Sequence, residues 1–444
     1  MEALKERGIL KKNAAHLVKN QSFIVPNYKW WEGPYYGIGL KVYDWMSGSL
    51  GLGPSEILSK EEVLQHAPSL DAEGLRGGVL YHDGQFDDAR LAINLAQTAA
   101  EQGAVIINYC KISGFIKNGT RIIGVKAEDQ LQNNTYHVHS RCVINATGVF
   151  SDNLQQLDEI DKEITITPSQ GIHLVFDKSF LPGNSAIMVP HTDDGRVLFA
   201  VPWHNRIIVG TTDTPVSQIT SEPVALKSEI DFIREHIARY LTKEPSYDDI
   251  KSVFAGLRPL VKNTAKKTAA ISRDHSIVIS NSGLISVLGG KWTTYRKMAE
   301  DVINLAAIKS GLAQRQCKTK DLELHGNDSS ASVDDYNYYY GSDRNDVEKL
   351  SLESGYSTLL HPDLPYRVAD VIWSVRNEYS MTVEDVLSRR TRSLLLDAKA
   401  AMAAAPLVAQ YMAIELGKGI EWEATQVEEF TAMAVNYLPI ENNS

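Results

Sequence analysis

Apolar residues at the start of the chain recur on a helical period, with Leu4, Leu10, Ala14 and Leu17 on one side, and predict a helix over 1–19. A second helical period, Ala89 to Gln102, follows the turn signal Asp83-Gly84, with Asp87 or Asp88 placed to cap it. The pattern then shortens to strand-like runs: Ala104 to Tyr109, a hairpin pair around Asn118-Gly119, and the apolar stretch Cys142-Val143-Ile144-Asn145. Residues 165–214 are strand-rich, and 172–176, 196–201 and 206–211 are predicted to share an antiparallel sheet. A helix over 227–241 interrupts this region before strands at 276–279 and 284–288. Past about Ala313 the character changes: a polar stretch, 327–346, reads as a linker or loop. Helical periods follow at 345–354, 365–378, 382–402, 405–418 and 423–437, the pattern of a separate α-helical C-terminal domain.

The most informative stretch is Leu284-Ile285-Ser286-Val287-Leu288-Gly289-Gly290-Lys291-Trp292-Thr293-Thr294-Tyr295-Arg296. An apolar strand ends in two glycines, and the spacing then becomes helical with Trp292, Met298 and Val302. Glycine lets backbone approach a ligand closely, and a helix start offers free N–H groups and partial positive charge. With Lys291 and Arg296 alongside, the corner suits an anionic cofactor edge. Ala146-Thr147-Gly148, at the end of another apolar strand, suits a loop passing beside a dinucleotide, although many buried strands end this way.

Three more sites could carry chemistry. His173 lies in Gly171-Ile172-His173-Leu174-Val175-Phe176, where alternation turns it away from Ile172 and Leu174, toward the side of Gly171 and Val175. An imidazole there could accept an alcohol proton, or be an ordinary structural histidine. Arg258, in Gly256-Leu257-Arg258-Pro259-Leu260, precedes a proline and has apolar flanks, so a partly enclosed fork for a phosphate or carboxylate is expected. Gly210-Thr211-Thr212-Asp213-Thr214-Pro215 and Ser272-Arg273-Asp274-His275 are polar clusters at strand ends, readable as functional loops or as self-satisfied turns and pairs.

Composition narrows the classes. The chain has 444 residues, 43% of them hydrophobic and 23% charged, enough for two or three domains and a large core. A formal net charge of −10 argues against nucleic acid as a partner. Cys110, Cys142 and Cys317 are far apart, so buried free thiols in a reducing compartment are expected, with no disulfide framework and no metal site. No stretch reaches the roughly 18 uncharged apolar residues that span a bilayer. Ala400 to Leu416, the nearest, is broken by Pro406 and carries Gln410 and Glu415. The charged start Met1-Glu2-Ala3-Leu4-Lys5-Glu6-Arg7 does not read as a signal peptide, which points to the cytoplasm. Aromatic crowding from Phe23 to Met46, with Trp30, Trp31 and Trp45, fits either a core lid or a face on lipid headgroups. There is no Gly-x-Ser-x-Gly, His-Glu-x-x-His or Walker-type loop.

Taken in order, Asp83-Gly84-Gln85-Phe86-Asp87-Asp88-Ala89-Arg90-Leu91, Asn145-Ala146-Thr147-Gly148, Gly210-Thr211-Thr212-Asp213-Thr214, Gly256-Leu257-Arg258-Pro259-Leu260, Ser272-Arg273-Asp274-His275 and Gly289 through Arg296 resemble the FAD-dependent glycerol-3-phosphate dehydrogenase family. The resemblance implies an α/β fold: a glutathione-reductase-like FAD domain with an antiparallel substrate-domain sheet over 1–312, a linker or loop over 313–346, and a helical domain over 347–444. It implies FAD as cofactor and oxidation of sn-glycerol 3-phosphate to dihydroxyacetone phosphate, with electrons passed to membrane quinone; peripheral contact with the cytoplasmic face of a membrane stays open. Thr147, Gly148, Gly289, Gly290, Thr293 and Thr294 would contact FAD; His173, Arg258 and Lys291 would be catalytic. A homodimer stays open.

One departure is large. The family's opening Gly-x-Gly-x-x-Gly turn is absent, and Gly37-Ile38-Gly39-Leu40 lacks its third glycine. The expectation is therefore a member without its first βαβ unit, with weak FAD binding and impaired activity. The alternatives are an amino-acid or hydroxy-acid oxidase, an oxygen-using glycerophosphate oxidase, or a non-catalytic remnant.

Overall fold

The structure, a computed structural model, describes residues 2–29, 32, 52–262, 275–332 and 335–439. Helix α1 (Glu2–Asn13) gives way after a turn to β1 (Val18–Asn27), so the helix predicted over 1–19 stops before its β-branched and aromatic continuation. Then come β2 (Glu56–Ser59), α2 (Lys60–His66), β3 (Gly77–Phe86) and α3 (Asp88–Glu101). Asp87 caps α3, its carboxylate accepting from Arg90 N at 3.0 Å. The meander β4 (Cys110–Asn118), β5 (Arg121–Asp129) and β6 (Thr135–His139) follows, turning at Asn118-Gly119 as predicted, and leads to β7 (Ile144–Asn145) and α4 (Ser151–Asp158).

One prediction fails here. The run 104–109 forms no strand, and Val105 and Ile107 stand 84% and 69% exposed. A strand is stable only with a lateral partner, and no described segment pairs with this run.

The largest sheet among the described residues adds β8 (Ile166–Asp177), β9 (Ala186–Val189), β10 (Leu198–Trp203), β11 (Arg206–Gly210), β12 (Thr214–Pro215) and, after α5 (Lys227–Ala238), β13 (Ile250–Val261). Long β8 is central: β13 pairs along one edge, and β11 and β12 share the other. Its alternation is the predicted one. Ile172, Leu174 and Phe176 enter a core against Ile230, Ile233 and Ile237 of α5, and His173 takes the opposite face. Each such fully buried side chain contributes about 1.5–3 kcal/mol, which fixes the register and hence the face His173 presents.

The chain returns through β14 (His275–Ile279) and β15 (Ile285–Gly289) into α6 (Tyr295–Lys309); β15 pairs parallel with β7. Helices α7 (Arg344–Ser351), α8 (Val368–Asn377), α9 (Ser393–Leu396), α10 (Ala398–Leu416) and α11 (Ile420–Ala434) form the C-terminal part. The predicted break near Pro406 is absent, since α10 runs through it with Ala401, Ala404, Ala405, Val408 and Ala409 all buried. The real break lies upstream, where Arg392 adopts φ 61° and Asp397 caps α10. Tyr339 and Tyr340, in the stretch read as linker or loop, are 1% and 2% exposed in the core shared by α1, α3 and the C-terminal helices. The three cysteines are half-buried rather than buried. The tryptophans of the aromatic stretch, and Gly37 to Leu40, lie outside the described residues.

Candidate functional site

Two parallel strands end together. Ser286 of β15 is opposite Asn145 of β7, so the chain leaves both toward the same edge. One exit is Ala146-Thr147-Gly148, leading into a 3-10 turn (Gly148–Phe150) and α4; the other is Gly289-Gly290, leading into a 3-10 turn (Trp292–Thr294) and α6. Gly148 has φ +59° with open space where a side chain would stand, and Gly290 has φ +88° beneath Met298. The edge thus offers bare backbone, the surface that a dinucleotide needs beyond the carboxyl ends of parallel strands. Thr147 is exposed, its hydroxyl donating to Asn145 Oδ1 at 2.7 Å, and it borders a cleft of 880 Å³ between β4 and α4. Thr293 is half-buried, while the Thr294 hydroxyl donates to the Lys291 carbonyl at 3.0 Å.

His173 and Arg258 share the other centre. Arg258 lies opposite Ser169, and His173 lies between Gly210 of β11 and Phe254 of β13. A side chain at Gly171 would collide with the guanidinium, and one at Gly210 with the imidazole, so these two glycines make room for the two functional groups. The ring of His173 stacks on Phe254 at 5.2 Å. Burial, then the positive charge of Arg258, lowers its pKa to about 4, so the imidazole is neutral across the physiological range. Arg258 is 28% exposed and donates to the Thr212 carbonyl (3.0 Å), Thr211 Oγ1 (3.1 Å) and Asp213 Oδ1 (3.4 Å). Asp213 also accepts from Ser169 Oγ. The polar cluster 210–215 is therefore a cradle for Arg258 and not merely a turn satisfying itself.

The two centres adjoin through β13, which packs against both β15 and the Gly148 turn. Lys291 is exposed at the start of its turn. Arg296 departs from expectation: it is 5% exposed and holds Glu6 of α1 by two bonds of 2.7 and 2.6 Å, plus Glu300 at 2.9 Å. It ties α6 to α1 and adds no charge to the glycine corner. His275 pairs with Asp301 at 3.1 Å; Arg273 and Asp274 lie outside the described residues.

Reading the sequence missed Phe254, Ser169 and above all Glu229, a carboxylate 4% exposed at the start of α5. Its signal was available: a glutamate three residues after Leu226, at the opening of an apolar helical period.

The chain matches the FAD dependent oxidoreductase family over residues 2–296 and the C-terminal domain of alpha-glycerophosphate oxidase over 285–426. It is 36% identical to the mitochondrial glycerol-3-phosphate dehydrogenase of Bos taurus across 98% of this chain and 63% of that protein. The corresponding Schizosaccharomyces pombe protein is 33% identical across 99% of this chain and 76% of its own length. The chain thus spans less than two thirds of the mammalian relatives it matches. A glycerol-3-phosphate dehydrogenase from Bacillus halodurans, solved in complex with FAD, superposes with a TM-score of 0.82 at 26% identity, covering all of this chain and 87% of the other. With β7 and β15 ending together and a substrate-type sheet beside them, the chain belongs to the FAD dependent oxidoreductase family.

Proposed function

We propose that the chain oxidises sn-glycerol 3-phosphate to dihydroxyacetone phosphate with FAD, and that quinone at a membrane surface takes the electrons. The observation that carries this reading is the adjacency of the bare glycine edge to the His173–Arg258 face through β13. The edge suits the flavin end of FAD, where Gly148, Gly289, Gly290, Thr293 and Thr294 would lie, with Thr147 at its margin. The sequence contains no Gly-x-Gly-x-x-Gly turn for the pyrophosphate.

When bound, FAD supplies the two-electron acceptor for the hydrogen on the alcohol carbon. The protein's own groups do the rest. Arg258 binds the phosphate or steadies negative charge developing on the alcohol oxygen, and Lys291 adds a second cation at the glycine corner. Neutral His173 accepts the hydroxyl proton. Burial and then Arg258 lower its pKa to about 4, which keeps it free to accept but makes it a weak base, so the transfer relies on Arg258 stabilising the negative charge that develops on the alcohol oxygen. Among the described residues no helix is long and apolar enough to cross a membrane, so contact with a quinone pool would be peripheral.

The test is turnover with an artificial electron acceptor at saturating FAD. The reading expects sn-glycerol 3-phosphate to be oxidised, and glycerol, amino acids and 2-hydroxy acids to be left alone. Turnover of an amino acid or hydroxy acid instead, or of nothing at saturating FAD, overturns it. Peroxide formed in air would move the acceptor from quinone to oxygen.

A further inference from the structure

One buried carboxylate has no part in the scheme above. Glu229 accepts four hydrogen bonds: from Thr212 Oγ1 at 2.9 Å, Thr214 Oγ1 at 2.6 Å, Gln170 Nε2 at 2.8 Å and Leu226 N at 3.0 Å. All four donors are neutral groups, and the helix start beneath the carboxylate favours its charge. Thr212 is the informative partner. Its hydroxyl also accepts from Ile172 N at 3.1 Å, so its single proton is committed to Glu229. Its carbonyl in turn accepts from Arg258 Nη1 at 3.0 Å. A continuous chain of bonds therefore runs from the first turn of α5, through Thr212, to the guanidinium on the His173 face.

Glutamine could not do the same unchanged. Its oxygen would keep the bonds from Gln170 and Leu226, but its nitrogen would turn the Thr212 and Thr214 hydroxyls into acceptors and leave their own protons without the carboxylate that fixes them. A helix cap alone needs only the bond from Leu226; the remaining three fix the strand end and the loop that cradle Arg258.

We infer that Glu229 is a positioning residue for anion binding: its carboxylate locks the Thr211–Thr214 loop so that Arg258 is held in the geometry that receives the substrate's phosphate. This rests on the reading of Arg258 as the anion-binding group. The arginine is long and has many rotamers, so its affinity for a planar or tetrahedral anion depends on the loop being fixed in advance.

The experiment measures the affinity of the FAD-saturated chain for inorganic phosphate by titration calorimetry. The variants are Glu229→Gln, Thr212→Val, Thr214→Val, Arg258→Met and the double variant Glu229→Gln/Arg258→Met. Glu229→Gln and Thr212→Val should each weaken phosphate roughly tenfold, and Thr214→Val, which leaves the link to Arg258 intact, less than either. The double variant should bind no more weakly than Arg258→Met alone, because the carboxylate acts only through the guanidinium. Should Glu229→Gln fail to fold, Thr212→Val, nearly the same shape and with the carboxylate retained, decides the matter. Wild-type affinity in Glu229→Gln or Thr212→Val, or losses that multiply in the double variant, overturn the inference while leaving Arg258's role standing. Unchanged affinity in Arg258→Met overturns both.

Discussion

Replacing Glu378 with alanine removes the partner of a guanidinium that has no route to water. Arg90 and Glu378 are each 1% exposed and meet by two bonds, 2.8 and 2.6 Å long. Tyr339 and Tyr340 cover the guanidinium, their ring centres 4.8 and 5.0 Å away. Burial opposes the charge on Arg90, yet Glu378 outweighs it and holds the pKa above its ordinary value. The pair joins α3 to the C-terminal helices, so breaking it strands a buried charge at the seam between them. Removing one partner of such a pair costs about 3–5 kcal/mol, a large part of the roughly 5–15 kcal/mol that holds a typical protein folded. Removing both in an apolar double variant, Arg90→Met/Glu378→Met, should restore most of that loss. Urea unfolding followed by tryptophan fluorescence measures each term. A cost below about 1 kcal/mol for Glu378→Ala, the range of exposed pairs, would refute the reasoning. So would a double variant no more stable than the single one.

Other outcomes follow from the same geometry. Arg258→Met should lower kcat/KM for sn-glycerol 3-phosphate by roughly 10²–10³ and move its acid limb upward, because burial still depresses His173 but the cation that adds to it is gone; a limb that stays in place would detach His173 from Arg258. His325 bridges Glu101 and Asp343, and its bond to Asp343 (2.7 Å), opposed by burial and aided by Glu101, raises its pKa from 6.5 to about 9. A raised folded-state pKa means this stabilisation is complete below about pH 6.5 and fades as pH rises through 9. His325→Gln should flatten that slope in thermal unfolding measured across the range. Gly290→Ala, forced to φ +88° with its new methyl against Met298, should lose about 1–2 kcal/mol of stability and weaken FAD; equal FAD affinity would show that the corner tolerates a side chain.

What the sequence disclosed was local. The alternation around Ile172, Leu174 and Phe176 placed His173 correctly because a strand's period is two and one face had to be buried. Asn118-Gly119 marked its hairpin, with Gly119 at φ +59°, and the cap was narrowed to Asp87 or Asp88, of which Asp87 serves. The glycines of the candidate edge were visible as glycines. Pairings across long separations were not. Arg296 looked like a cofactor cation until Glu6, 290 positions away, claimed it. Arg90 sat in a motif that marked the family, but only the fold reveals that it clasps Glu378. The run 104–109 had the composition of a strand and no described neighbour to pair with, since pairing belongs to the sheet and not to the segment. Pro406 read as a break, yet the packed alanines around it outweigh one missing hydrogen bond.

The central claim is that the glycine edge and the His173–Arg258 face serve one reaction. Anaerobic mixing of the FAD-saturated chain with sn-glycerol 3-phosphate tests it most directly. Rapid loss of the oxidised-flavin absorption band in the wild type, and loss roughly a hundredfold slower or more in Arg258→Met with FAD still bound, is the predicted result. An unbleached flavin in the wild type, or equally fast bleaching in both proteins, would contradict the account.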